Sequence, residues 1–515
     1  MKSTLAAGVA LAVCASPALA QSMPMNMPMN MPGMAMPKAK PAAKKTTRKI
    51  AAAKRTAKKT HEAASRTTHK AAPAQAPPTM QMPMGGGSMA MPSSPQGTAA
   101  SMPPMTMPMP PAAPVARSAM PGMQHGSMGM TMKAALGPYP EQRESSGTGW
   151  QPDASSAMAG PMTMAGGWML MAHGDANLVY DRQSGPRGDS KAFVGGMLMG
   201  MAQHPLGNGA LQFRAMLSPD PLMGPGGYPL LLASGETANG RDRLIDRQHP
   251  HDLFMELSAA ASQNIGPKSS VFLYAGLPGE PAFGPPTFMH RESIEDSPEA
   301  PITHHWLDST HITFGVVTAG LVLDRVKIEA SRFNGREPDQ HRWNIETGPL
   351  DSSSVRLSWN PTRTLALQGS WAHLVDPEQL EPGVNQTRWS ASALWADNVA
   401  PGWHAAAMLA WGSKSSLGHH DDGFAAEASV RQAGWTVFGR GEMVENRELL
   451  DVEDGPAFRV GKVSLGAVRD FRIADHLSIG PGGLVSLNFV PDGLATLYGG
   501  HHPTGAMGFV RLKLD

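Results

Sequence analysis

The most constraining feature of this chain is a two-residue alternation of apolar and polar side chains that recurs from residue 150 to the end. In the segment 353–360, Val355 and Leu357 would lie on one face of a strand, and Arg356 would lie on the other. Gly, Asn, Asp and Pro interrupt the alternating segments, as is typical of strands joined by turns. The pattern therefore predicts an all-β protein whose strands have one apolar face and one polar or charged face.

The number and spacing of these segments favour a closed barrel over a soluble β-sandwich, which would also alternate. Counting gives about sixteen segments, an even number that suits an antiparallel transmembrane barrel with short turns at one rim and long loops at the other. The predicted turns are 207–209, 360–362, 398–402, 432–434 and 473–475, and the predicted long loops are 219–248, 276–302 and 335–351. The fold class expected for 150–515 is a closed antiparallel transmembrane β-barrel of about 16 strands in an outer membrane.

Aromatic residues near the predicted strand ends suggest girdles at the two membrane interfaces. They are Trp168, Tyr180, Tyr274, Trp359, Trp371, Trp389, Trp395, Trp403, Trp411 and Trp435. One departure from many such barrels is that the chain ends in Leu514 and Asp515, not in an aromatic residue.

The first twenty residues have the layout of a secretory signal peptide. Lys2 is followed by an apolar core that extends to Cys14, and small residues around Ala20 offer a cleavage site. A lipoprotein signal ending at Cys14 is the alternative. Cleavage after Ala20 would remove the only cysteine, and no later apolar stretch reaches the roughly 18 residues that a membrane-spanning helix needs.

Residues 21–149 are rich in Met, Pro, Ala and Lys and nearly free of aromatic residues, so we predict a disordered region that lies in the periplasm. The formal net charge of +1 conceals a basic run from Lys38 to Lys70. In an exported protein, that run is better explained as a tether to anionic envelope polymers or lipid head groups than as a nucleic-acid site.

The methionines of this region have the spacing of a copper-binding segment. Thioethers are soft ligands that favour Cu(I), and Met-x-Met or Met-x-x-Met spacing lets a flexible chain wrap one ion. The candidate ligands are Met23, Met25, Met27, Met29, Met31, Met34 and Met36, with Met102, Met105, Met107 and Met109. The alternative is an unstructured spacer of biased composition. No cofactor other than copper is indicated.

Two histidine clusters are candidate sites for a harder metal ion, although each is also explained by a structural role. His249 and His251 stand at i and i+2, so their imidazoles would point the same way from an extended chain. The second cluster comprises His304, His305, Asp308 and His311. Neither matches a defined zinc or copper motif.

Further polar residues in or beside the long loops predict a salt-bridged network in the barrel lumen, near the loop side. They are Asp246, Arg247, Asp252, Glu280, His290, Arg336, Glu337, Asp339, His341 and Arg342. No nucleophile elbow, phosphate loop, paired-cysteine motif or dinucleotide fingerprint is present, so catalytic residues are not assigned.

Four segments resemble a group of uncharacterised bacterial outer-membrane proteins. They are 195–202, 214–223, 246–255 and 304–314, and the resemblance extends over most of 165–390. It implies the barrel and carries no catalytic residues. The methionine-rich leader is similar in style to that of copper resistance protein B, an outer-membrane barrel.

The domain organisation predicted is thus a signal peptide at 1–20, a disordered region at 21–149 and an outer-membrane barrel at 150–515. The leading functional hypothesis is binding, tolerance or transport of copper in the envelope, without catalysis. The alternatives are a general porin-like channel with the tail as a spacer, and a barrel enzyme with a His/Asp metal site. The expected partners are outer-membrane lipid, copper ions and anionic envelope polymers, and no nucleic acid.

Overall fold

A computed structural model describes residues 133–452 and 455–515. The predicted signal peptide, the candidate methionine ligands at 23–36 and 102–109, and the basic run all lie outside the described residues. Within the described residues, no helix is long and apolar enough to cross a membrane.

The described chain consists mainly of β-strands. They are β1 Met162–Ala165, β2 Trp168–Gln183, β3 Ser190–Leu206, β4 Gly209–Leu217, β5 Tyr228–Thr237, β6 Arg243–Gln248, β7 Phe254–Gly266, β8 Ser269–Gly276, β9 Val316–Leu323, β10 Val326–Phe333, β11 Ser352–Thr362, β12 Leu365–Leu374, β13 Gln386–Ala400, β14 Trp403–Ser416, β15 His419–Gln432, β16 Trp435–Asn446, β17 Phe458–Arg469, β18 Phe471–Ala474, β19 Leu477–Phe489 and β20 Thr504–Leu514. Two short α-helices span His304–Leu307 and Asp492–Tyr498, and 3₁₀ turns span Glu141–Arg143, Asp220–Met223, Phe288–His290 and Ser309–His311.

The main sheet closes on itself. Strands that are neighbours in this sheet pair antiparallel, and β20 pairs with β2 in a register that places Leu514 opposite Gly174. Two members of the 18-stranded sheet are short additions, β1 beside β2 and β18 beside β19, and β5 and β6 form a separate hairpin within a loop. The remaining sixteen strands form the closed antiparallel barrel predicted from the sequence.

The side-chain alternation separates the outside of the barrel from its interior. On β11, Val355, Leu357 and Trp359 are 45–49% exposed, whereas Arg356 and Ser358 are no more than 2% exposed. The same alternation is present on β10 and β20, with Ile328 and Leu512 outside and Glu329 and Arg511 inside.

Most of the predicted aromatic residues face outward, but one does not. Tyr180, Trp359, Trp389 and Trp435 are about half exposed on the outer surface. The placement of Tyr274 in a girdle was wrong: its side chain is buried in the lumen, and its hydroxyl donates to Glu256 Oε1 at 2.9 Å. An inward aromatic ring with a polar tip satisfies both the packed interior and its hydrogen-bonding group.

Connections differ in length between the two rims, as predicted. Turns of about two residues follow β3, β13 and β15, where 207–209, 398–402 and 432–434 were expected. The long loops comprise 218–253, 277–315 and 334–351, the first of which contains the β5–β6 hairpin. We refer to these two ends as the short-turn rim and the long-loop rim.

The expected domain boundary at residue 150 was too late, because residues 133–149 already pack inside the barrel. The Lys327 amine donates to the backbone carbonyl of Thr148, and Arg143 donates to the carbonyl of Asp324 at 2.8 Å. The Trp150 ring packs edge-on against the Tyr139 ring, with 5.2 Å between centroids. Few aromatic residues precede Trp150, so composition alone placed this segment with the preceding tail.

Candidate functional site

Residues 277–315, here called the lumenal loop, connect β8 to β9 by way of the barrel interior. Its side chains and backbone contact wall residues on β12, β13, β15, β16, β17 and β20, which are distributed around the barrel. The loop contains six acidic residues and one arginine. Many of the wall residues that receive these acids are cationic, so the loop and the wall are complementary in charge.

Arg291 is the one cation of the lumenal loop, and its side chain is fully buried. Its guanidinium donates to the Glu427 carboxylate of β15 at 2.7 and 3.0 Å, and to Asp308 Oδ2 at 2.5 Å. The same guanidinium donates to the carbonyl of Pro286 at 2.9 Å. A charge removed from water needs such full pairing, because an unpaired buried ion costs several kcal/mol, on the order of 3–5 when one partner is removed.

Two further acids of the lumenal loop bind basic residues of the wall. Glu299 accepts from Lys462 of β17, from Ser464 at 2.7 Å, and lies 3.5 Å from Arg440 of β16. Asp296 accepts from Arg511 of β20 at 2.5 Å and from Arg431 of β15 at 2.8 Å. These contacts attach the loop to the side of the barrel opposite β8 in the strand order.

The pKa values of the lumenal-loop acids reflect this pairing. Burial alone would raise the pKa of Glu292, but the contacts with His404 and Arg431 lower it to about 2. The pKa values of Asp296, Glu299 and Asp308 are also lowered, because nearby arginine and lysine side chains outweigh the effect of burial. Burial raises the pKa of Glu280 to about 7. The four acids whose pKa values are lowered are therefore charged at neutral pH.

The structure brings the two histidine clusters together. The ring centroids of His304 and His311 are 5.2 Å apart, and those of His251 and His311 are 5.3 Å apart. His249 lies 5.8 Å from both His304 and His305. The sequence did not indicate whether segments 249–251 and 304–311 meet, and the structure places them side by side inside the barrel.

Each of three clustered imidazoles is held through one ring nitrogen. His251 Nδ1 is 2.8 Å from Asp220 Oδ2, His304 Nδ1 is 2.7 Å from Asp308 Oδ1, and His311 Nδ1 is 2.8 Å from the carbonyl of Asp308. The Nε2 atoms of His251 and His311 are buried and have no hydrogen-bond partner. Metal-binding histidines are oriented in this manner.

Electrostatics keeps most of this cluster neutral. Burial lowers the pKa of His249, His304 and His311, whereas the Glu337 carboxylate raises the pKa of His305 despite its burial. In the described part of the chain, no three His, Cys, Asp or Glu side chains form a group ready to hold a metal ion. Metal binding here stays a prediction.

The other predicted network residues are divided between this cluster and separate places. Arg342 pairs with Asp252 at 3.1 Å and with Glu236, which in turn contacts His249 at 3.1 Å, and Glu337 contacts His305 at 3.1 Å. The rest lie elsewhere. Asp246 pairs with Arg187 and Tyr498, Arg247 pairs with Asp189, and Arg336 pairs with Asp351. Asp339 accepts from the backbone N–H of the exposed His341, Glu280 packs beside Gly147, and His290 contacts Met216. Of the predicted network residues between 336 and 342, only Glu337 and Arg342 therefore join the histidine cluster.

Sequence reasoning missed the partners that come from distant strands, such as Asp220, Glu236 and Glu427. It also missed a group of methionines inside the barrel. The signal was present, because Met197, Met199 and Met201 occupy alternate positions of one strand and so share a face.

Comparison with known proteins finds solved structures with a similar fold. No protein-family model and no curated protein matches the chain. It is similar to bacterial porins. The matches include a porin structure refined at 1.8 Å (12% identity, 67% of this chain and 99% of that chain, TM-score 0.36), the anion-selective porin from Comamonas acidovorans (12%, 67% and 99%, 0.39), and Salmonella typhi OmpF in complex with daunomycin (12%, 68% and 100%, 0.44).

Sequence identities and TM-scores this low do not assign a function to this chain. The resemblance of the leader to copper resistance protein B concerns residues outside those described, and the comparisons give it no support.

Proposed function

We propose that this protein is an outer-membrane channel whose lumen is closed by the lumenal loop in the state described here. The outer-membrane location is supported by the outer surface of the barrel. Leu357, Leu409 and Leu465, on three different strands, are 49–65% exposed, and water would not favour such a surface. Lipid would, and a closed barrel leaves no unpaired strand edge within it.

The single observation that carries the channel proposal is the charge complementarity between the lumenal loop and the wall. A solid apolar core would close a barrel permanently, because nothing in it responds to solvent. The lumenal loop does place Trp306 and Leu307 in an apolar cluster with wall residues. Arg291, Asp296 and Glu299 also hold the loop through ion pairs, whose strength depends on full pairing, salt and pH. This favours a channel that opens when the loop leaves the lumen, over a permanently open general porin.

Planar-bilayer conductance of the full-length protein tests this proposal. We expect small or no conductance from the wild type, and frequent large openings from Arg291→Ala, because that change leaves Glu427 and Asp308 without their cation. Arg459→Ala is the matched control, since Arg459 pairs with Glu445 on the exposed surface at 2.8 Å.

The folding of each variant is checked by its β-sheet circular dichroism in detergent. A variant with residues 286–306 replaced by a Gly/Ser linker covers the case in which Arg291→Ala does not fold. A folded barrel that stays closed after either change would overturn the proposal.

A second candidate function is binding of copper or another metal ion, which the anchored histidines favour. His251 and His311 each have one nitrogen fixed and the other buried without a partner, which suits a harder ion such as Cu(II) or Zn(II). Metal content of the full-length protein after Zn(II) loading tests it. His311→Gln should lose bound metal relative to His341→Gln, an exposed control, and equal metal in both would exclude this site.

A further inference from the structure

The lumen contains one patch that is made of methionine rather than of charged residues. We define the methionine patch as the buried side chains of Met171, Met197, Met199, Met201, Met216 and Met255. Met158, Met162, Met169 and Met289 are partly buried against it. Methionine often fills irregular gaps in a core, so packing alone could account for the sulfur atoms. It does not account for the two imidazoles that lie among them.

Strand register places one of these imidazoles in a row with two methionines. His173 on β2 is directly opposite Met199 on β3, and Met199 is directly opposite Met216 on β4. All three occupy inward-facing positions of their strands. Directly opposite residues have their Cβ atoms about 4.5–5.5 Å apart, so these three side chains are within reach of one another.

The second imidazole comes from the lumenal loop. His290 Nε2 lies 3.4 Å from Met216 Sδ, and its ring centroid is 6.4 Å from that of His173. The Nε2 atom of His173 is buried and has no hydrogen-bond partner. A buried polar nitrogen without a partner is unfavourable, so the position of the His173 Nε2 atom beside thioethers is not explained by packing.

We propose that His173, Met199, Met216 and His290 form a binding site for a soft monovalent cation, Cu(I) or Ag(I). Two imidazole nitrogens and two thioether sulfurs are neutral, soft or borderline donors that favour such ions over Mg²⁺ or Ca²⁺. A nitrogen and a sulfur bound to one tetrahedral ion, at about 2.0 and 2.3 Å, lie about 3.5 Å apart. The distance from His290 Nε2 to Met216 Sδ fits this geometry.

A cavity gives this site access to the short-turn half of the lumen. It has a volume of about 280 Å³, and its lining includes His173, His290, Met197 and Met289 together with Asp515 at the chain end. The backbone N–H of Asp515 donates to the carbonyl of His476, in the turn that precedes β19 at the short-turn rim. The ion would therefore reach the site from the short-turn rim. The site goes beyond the channel proposal and does not require a conducting lumen.

Silver binding to the full-length protein tests this inference, with Ag(I) alone as the probe. The test variant is Met199→Leu/Met216→Leu, and the control is Met171→Leu/Met201→Leu, from the same patch but outside the row. Leucine nearly conserves methionine volume, so each change should leave the barrel folded. Methionines outside the described residues are the same in all variants and contribute an equal background.

We expect the test variant to lose one silver equivalent, or to bind it at least tenfold more weakly, while the control matches the wild type. X-ray absorption at the silver edge should show the loss of sulfur ligands in the test variant only. His311→Gln should leave this equivalent in place, which separates the site from the histidine cluster. Unchanged binding in the test variant, or an equal loss in test and control, would overturn the assignment.

Discussion

At the scale of single residues, the barrel interior shows how buried charges are tolerated in this protein. Lys462 is fully buried, yet its amine donates to Glu299, which also accepts from Ser464 and lies near Arg440. Each ion therefore has a partner of opposite sign. The arrangement is sensitive, because removing one partner leaves the other without compensation in a medium of low polarity.

Lys462→Met should lower the free energy of unfolding by about 3–5 kcal/mol, since Glu299 would lose its closest cation. Lys268→Met is the matched control: Lys268 pairs with Asp324 at 3.2 Å on the surface, where a salt bridge contributes about 0–1 kcal/mol. Urea unfolding of the two variants in lipid vesicles measures both. Similar losses for the two lysines would contradict the inferred role of the buried pair.

At the scale of elements, the lumenal loop is unusual because it is a long connection that is almost wholly buried. Buried backbone must have its hydrogen-bonding groups satisfied. The loop contains six prolines, which have no N–H group to satisfy. Side chains such as Ser331 and Ser370 accept from the backbone of Ala282 and Gly284 at 2.8 and 3.0 Å. The prolines and these hydrogen bonds therefore let the backbone of the loop lie against a polar wall.

Acid should release this loop. A carboxyl whose pKa is lowered on docking stabilises the docked state above its undocked pKa, about 4.3 for glutamate, and loses that contribution as pH falls through the docked value, about 2 for Glu292. Asp296, Glu299 and Asp308 have lowered pKa values and act in the same direction. Glu280, with a raised pKa of about 7, favours the docked state at low pH. It is a single group, whereas four acids favour release of the loop.

We therefore expect bilayer conductance to rise between about pH 4 and pH 2, and to return on neutralisation. Glu292→Gln is the informative variant, because an amide does not titrate and should make the rise smaller. A barrel that is as closed at pH 2 as at pH 7 would show that these ion pairs do not hold the loop.

At the scale of the whole molecule, the barrel reverses the arrangement of a soluble protein. Many of its charged residues pair inside, next to buried apolar clusters, and the outer faces of its strands are mainly aliphatic and aromatic. The reversal has a direct energetic test, because a positive charge placed near the middle of a lipid-facing strand costs about 2–4 kcal/mol.

Leu357→Arg, on the outer face of β11, should reduce the free energy of folding into lipid vesicles by about that amount. Leu222→Arg, in the long loop that precedes β5, is the control: Leu222 is 70% exposed, and the change should cost less than about 0.5 kcal/mol. Equal effects at the two positions would argue against a lipid-facing barrel surface.

The sequence alone determined the barrel, because side-chain alternation is a local property. A strand turns successive side chains to opposite faces wherever it lies, so Val355, Arg356 and Leu357 report which face meets lipid and which is buried. Turns and loops are equally local, which is why 207–209 and 335–351 could be placed without knowledge of the fold.

The tertiary structure alone decided what fills the barrel. The lumenal loop was predicted as a loop at the rim, and nothing local reveals that Arg291 will meet Glu427, which is 136 residues away. The same holds for the row of His173, Met199 and Met216, since register between strands brings together residues that the chain separates. Local pattern fixes the direction in which each side chain points, and closure of the barrel decides what that side chain meets.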